Sequence, residues 1–266
     1  MRQKIHAYAL DEEAVPRYPK EHPVYRTPGL SFRPLPIAGM PHVRPHLPEP
    51  GELHLWRFRP QWNAASRQDI PWIVSDGEQN RARRGYSRAL SKRYLTGRAL
   101  LRSILSDMLA CPPERLQLKD TPDGQPELVH PVPPRKLSIQ VAYAGIWILV
   151  GMSATEFGMR AAAPPAYDRP PDRTASDGDT LALSGSDIAA DAKGLVHRTT
   201  AAILCETPST ERLPKLVAQN GAVLIAEESN GNRLHVIDLP MPGHLSAAVA
   251  TREPVSSILA YGWGRS

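Results

Sequence analysis

Residues 93–105 read "RYLTGRALLRSIL", and the reading of this stretch decides how the rest of the chain is understood. Tyr94, Leu95, Leu101, Ile104 and Leu105, with Met108 beyond, recur at helical spacing, which predicts an amphipathic helix with one buried face. Upstream, "WIVSDGEQNRARRGYS" supplies its own start signal. Ser75 or Asp76 can cap a first helix, and Glu78 sits near its positive end. Downstream, "PPERLQLKDTPDGQPEL" predicts a strand, a tight Asp-Gly turn and a short return.

Two further runs complete the first half. "GELHLWRFRP" alternates apolar and polar residues through Leu53, Leu55 and Phe58, as a half-buried strand does. "KLSIQVAYAGIWILVGMS" predicts a hairpin turning near Ala144 and Gly145. A strand is expected next at "FGMRAA", and after the proline-rich loop at 164–171 a helix over "DIAADAKGLVHRTTAAILCE", with Gly194 as a point of interruption. "GAVLIAEES", "RLHVIDLPM" and "LSAAVATRE" then read as three strands joined by turns. Residues 1–50 differ: they are proline-rich and without periodicity, which predicts an irregular arm.

Composition narrows the classes. The chain has 266 residues, enough for one large core or two smaller ones, and a net charge of +5. No apolar run is long enough to span a bilayer, and the N-terminus has no secretory h-region. Two cysteines, Cys111 and Cys205, without CxxC spacing, argue against a disulfide framework and fit a reducing, cytoplasmic setting. The nine histidines show no HExxH or HxH pairing, so no metal site is expected. The basic pI of 9.3 allows an acidic partner, nucleic acid among the candidates, but no nucleic-acid-binding motif is visible.

Taken in order, these segments resemble the Sfp-type 4′-phosphopantetheinyl transferases over roughly residues 52–255. "VSDGEQNRARR" is similar to that family's "LSxDExxRAxR", and "RYLTGRALLRSIL" to its "RxxxGRxLLRxxL". "DGQPEL" stands where the family has "GKPxL", "IQVAYAGIWILVGMS" where it has "FNxSHSxxxxxxAxx", and "FGMRAA" where it has "xGxDxE". "HRTTAAILC" takes the place of "WxxKEAxxK". The resemblance implies an α+β fold of two pseudo-twofold lobes, here 51–158 and 159–266, behind the arm at 1–50. It also implies a cleft for coenzyme A and a divalent metal between the lobes.

The family's chemistry needs carboxylates on a hard cation and cationic groups on phosphate. The three acid positions map to Arg160, Ala162 and Ala201. The Ser-His pair maps to Ala142 and Tyr143, the "GKP" lysine to Gln125, and two helix lysines to Thr200 and Cys205. Of the cofactor contacts, Arg93 is retained, and Tyr143 is a second candidate by its place. The expectation is a fold kept without its transferase chemistry, binding neither coenzyme A nor Mg²⁺. The basic run Arg81, Arg83, Arg84, Arg88, Lys92, Arg93 and Arg98 suggests docking of an acidic carrier protein, with Arg81, Arg84, Arg88 and Lys92 as the contacts. Such a protein would be monomeric and serve polyketide, fatty-acid or nonribosomal peptide synthesis by binding a carrier protein or a biosynthetic enzyme. The alternative is a repurposed cleft acting on a carrier-bound acyl group, using Cys205, Tyr143 or a histidine such as His197. His197 and Cys205 lie eight residues apart on the expected helix, about 12 Å, too far for a hydrogen-bonded pair.

Overall fold

Trp147–Ser153 is buried at every position, and a strand with that pattern must be covered on both faces. The computed structural model, which describes residues 28–36, 45–59, 73–84, 87–163, 185–205 and 213–264, shows what covers it. The protein is α+β, with two five-stranded sheets packed face to face and a helix on the outer side of each.

In chain order the elements are β1 (Ser31–Leu35), β2 (Glu52–Phe58), α1 (Asp76–Arg83), α2 (Arg88–Leu109), β3 (Gln117–Asp120), β4 (Pro126–His130), β5 (Ser138–Ala144), β6 (Trp147–Ser153) and β7 (Phe157–Ala162). Then come α3 (Gly185–Ala201), a 3-10 turn (Ala202–Leu204), β8 (Lys215–Asn220), β9 (Val223–Glu227), β10 (Arg233–Leu239), β11 (Ser246–Thr251) and β12 (Ser257–Tyr261). The first sheet runs β1-β12-β2-β6-β5 and the second β7-β11-β10-β9-β8. β3 and β4 form a separate hairpin.

Strand alternation builds the layers. On the first sheet Trp56, Phe58, Ile148, Val150 and Met152 face α2, where Leu101, Ile104 and Leu105 meet them. Leu53, Leu55 and Leu149 point the other way and pack on Phe157, Met159, Ile237 and Val249 of the second sheet. The opposite face of that sheet, with Leu234, Val236, Ala248 and Ala250, takes Val196, Ala201 and Leu204 from α3 and its 3-10 turn. The order through the molecule is therefore helix, sheet, sheet, helix. β2 was expected to be half-buried; it is covered on both sides, so His54 and Trp56 are buried along with Leu53 and Leu55.

The two halves repeat one connectivity. β2, a helical segment and a hairpin precede β5 and β6, and β6 lies antiparallel between β2 and β5. β7, α3 and the β8–β9 hairpin precede β10 and β11, and β11 lies antiparallel between β7 and β10.

Three features depart from expectation. The arm at 1–50 is not wholly irregular: β1 pairs in parallel with β12, and Pro34 is accommodated because β1 is the edge strand. β12 falls within the expected second half, 159–266, yet it joins the first sheet between β1 and β2, with Tyr261 stacked on Trp56 at 4.9 Å. Gly194 does not interrupt α3, because helix-interior glycine costs only about 1 kcal/mol and α3 is held against β7, β10 and β11. The remainder of the arm, residues 1–27 and 37–44, and the loop at 164–171 lie outside the described residues.

Candidate functional site

A cavity of about 280 Å³ opens where α1, α2, the β3–β4 turn and β5 meet. Arg81, Tyr94, Arg98, Gln125, Val141 and Tyr143 are among its lining residues. Three positions to which the resemblance assigns cofactor contacts thus gather here: Gln125 and Tyr143 in the wall, and Arg93 beside them. The Arg93 guanidinium lies 5.1 Å from the Tyr143 ring centroid and donates to the Gly145 carbonyl. Ala142, next to Tyr143 on β5, faces the inter-sheet core instead, because neighbours on a strand point to opposite faces.

α1 and α2 hold the wall through an ionic core. Ser75 caps α1 by accepting from the Glu78 N–H at 3.3 Å, while the Glu78 carboxylate accepts from the Ser75 N–H at 2.8 Å. The same carboxylate accepts from Arg102 Nε at 3.0 Å and lies 3.3 Å from Arg98 Nε. Arg98 and Arg81 both pair with Asp120 of β3. Arg102 also donates to the Pro113 and Leu116 carbonyls at 3.0 and 2.7 Å.

This corrects the expected docking face. Arg98 is buried and Arg81 is engaged with Asp120, so neither belongs to a free basic surface. Nor is Arg81–Arg98 one helix: α1 ends at Arg83 and α2 starts at Arg88, capped by Ser87. Arg83, Arg84, Arg88 and Lys92 are exposed, and their side chains form no ion pair among the described residues. The cavity's cations are matched by carboxylates, which lowers the positive potential it offers a phosphate. Gln125 is occupied as well, its side-chain oxygen accepting from the Val141 N–H at 2.8 Å.

Gly97 of α2 is required by Tyr143. A Cβ there would lie 2.8 Å from the tyrosine oxygen and 3.3 Å from its ring. Gly97→Ala is expected to lose about 1 kcal/mol, since overpacking of about 1–3 kcal/mol outweighs the gain in helix propensity. In a Tyr143→Phe background, without that oxygen, the same alanine should cost less; urea unfolding of the four proteins measures the difference.

The acid positions of the resemblance meet elsewhere, on the seam between β7 and α3. Arg160 is exposed and donates to the Thr199 carbonyl at 3.2 Å. Ala162 and the fully buried Ala201 belong to the same apolar cluster. Thr200 is fully buried, its hydroxyl donating to the Val196 carbonyl at 2.6 Å. None of these side chains supplies a carboxylate.

His197 and Cys205 do not share a helix. α3 closes at Ala201, and Cys205 follows the 3-10 turn. Burial and then the charge of Glu228 push the Cys205 thiol up, away from the reactive thiolate. His197 Nε2 is 3.0 Å from Asp238 Oδ1, and Lys193 reaches the other oxygen at 2.7 Å. That cluster joins α3 to β10.

A third cluster was not anticipated from the sequence. His46, Glu52 and His54 bring their ligand atoms within 4.8 Å of one another at the start of β2. Glu52 and His54, two apart on a strand, share a face, and the loop through Pro48 returns His46 to them. The available signal was the pair Glu52–His54 on a predicted strand with a histidine six residues before it. Among the described residues, no helix is long and apolar enough to cross a membrane. No protein-family model matches the chain, and no curated protein matches it.

Proposed function

We propose that this protein has a phosphopantetheinyl-transferase-like fold stripped of transfer chemistry, and that it binds an acidic carrier protein or a biosynthetic enzyme that handles one. The observation that carries the reading is the β7–α3 seam. There the three positions where the resemblance calls for acids lie together, occupied by Arg160, Ala162 and the buried Ala201. An alanine cannot ligate a metal or accept a proton, and an arginine opposes a cation. The repeated connectivity of the two halves supports the fold assignment, as do Gln125 and Tyr143 in one cavity wall with Arg93 against the Tyr143 ring.

The binding role rests on Arg84, Arg88 and Lys92, exposed cations at the end of α1 and in the first turns of α2. Peripheral charges of this kind mainly set encounter rates. Surface plasmon resonance against an acyl carrier protein should therefore show association slowed about tenfold by Arg84→Glu with Arg88→Glu, and slowed again by physiological salt. Carrier binding that a folded double variant leaves unchanged would remove this surface. Incubating the protein with coenzyme A, Mg²⁺ and apo carrier protein should leave the carrier's intact mass unaltered. A chelator-sensitive gain of one phosphopantetheine would sink the non-catalytic reading.

A further inference from the structure

We propose that His46, Glu52 and His54 form a site for a zinc-like dication, three protein ligands with a fourth position open to solvent. Nothing in the carrier-binding reading depends on it.

The geometry is close to that of a bound site. A tetrahedral ion with donors at about 2.0–2.1 Å separates those donors by about 3.3 Å. Glu52 Oε2 lies 3.2 Å from His46 Nε2 and 3.6 Å from His54 Nε2. The third separation, between the two imidazoles, is within 4.8 Å, so a small rotation of the exposed His46 closes the triangle. Two imidazoles and a carboxylate are a donor set suited to Zn²⁺ and Co²⁺ rather than to Mg²⁺ or Ca²⁺.

The buried member supplies the independent indication of a ligand. His54 is 0 % exposed; its Nδ1 has no hydrogen-bond partner, and its Nε2 has no contact shorter than the long 3.6 Å approach of Glu52. Unpartnered buried polar atoms are costly and uncommon in folded proteins. An ion at the Glu52–His46 side would satisfy Nε2. The Glu49 N–H donates to the Glu52 carboxylate at 3.1 Å. That N–H orients the carboxylate, as outer-shell donors do.

Exposure grades across the site: 55 % for His46, 25 % for Glu52 and none for His54. The open side faces water, which would take the fourth position. His54 Nδ1 lacks the acceptor that usually braces a ligating histidine, a deficit worth roughly 10–100-fold in affinity. Binding is accordingly expected to be reversible and removed by chelators, not that of a closed structural site.

The test uses the full chain, without an affinity tag, treated with chelator and then titrated with Zn²⁺ alone and with Co²⁺ alone. One Zn²⁺ should bind per chain with a rise in melting temperature, and Co²⁺ should give the intense visible bands of a tetrahedral site. His46→Ala is the chief variant, because an exposed loop residue can be changed without threatening the fold. It should weaken Zn²⁺ at least about tenfold, since losing a direct ligand costs no less than losing an outer-shell partner. Glu52→Gln should do likewise while circular dichroism stays unchanged. Absence of stoichiometric binding, or affinity that neither variant alters, would overturn the proposal.

Discussion

Glu78→Ala should destabilise the protein by about 3–5 kcal/mol, the usual cost of removing one partner from a buried ion pair. Here one carboxylate serves two guanidinium groups, Arg98 and Arg102, and both are only 3 % exposed. Asp120 would still compensate Arg98, but Arg102 would retain only the Pro113 and Leu116 carbonyls. The same substitution removes half of the Ser75 capping box and frees the start of α1. Glu78→Gln keeps the shape and an acceptor and should cost less. Chemical denaturation of the three proteins at neutral pH gives the comparison. A loss below about 1 kcal/mol for the alanine variant would mean that the triad is not an energetic centre of the wall.

Phe157→Ala is expected to cost a similar amount, about 3–5 kcal/mol, by opening a cavity between the sheets. Phe157 is fully buried at the entry to β7 and packs against β6 where Gly151 leaves room. A Cβ on Gly151 would stand 2.9 and 3.0 Å from two carbons of the phenyl ring. Gly151→Ala should therefore destabilise the native chain but partly fill the space in the Phe157→Ala background. The double-mutant cycle should return a favourable coupling of roughly 0.5–3 kcal/mol. Strict additivity would show that ring and glycine do not share that space.

These two centres mark what could be read from the sequence. The hairpin over 138–153 was legible because a continuous apolar run and a glycine turn are local signals. A cap at Ser75 or Asp76 was legible for the same reason, and the structure selects Ser75 and adds the reciprocal bond to Glu78. The "RxxxGRxLLRxxL" pattern pointed to a helix, and the structure gives it a structural meaning. Gly97 admits Tyr143, and Arg98 and Arg102 reach Glu78.

What escaped the sequence reading was non-local. β8 is exposed at nearly every position on a sheet edge, so it shows no alternation. The pairings of β1 and β12 depend on partners more than 200 residues apart in sequence. The charge of Arg98 was visible, but not Asp120, on another element, that removes it from the surface. His46, Glu52 and His54 were similarly hidden, because a loop reversal rather than a fixed helical spacing assembles them.

The position of β12 between β1 and β2 has a consequence for synthesis on the ribosome. Both flanking strands emerge early, but the strand that joins them is translated some 200 residues later. Until residues 257–261 leave the exit tunnel, β1 has no neighbour and β2 shows a bare backbone edge along its Glu52–Trp56 side. Such an edge can recruit another nascent chain on the same polysome. A transcript broken before Ser257 would yield a polypeptide in which the first sheet cannot close, a natural substrate for chaperones and proteolytic clearance.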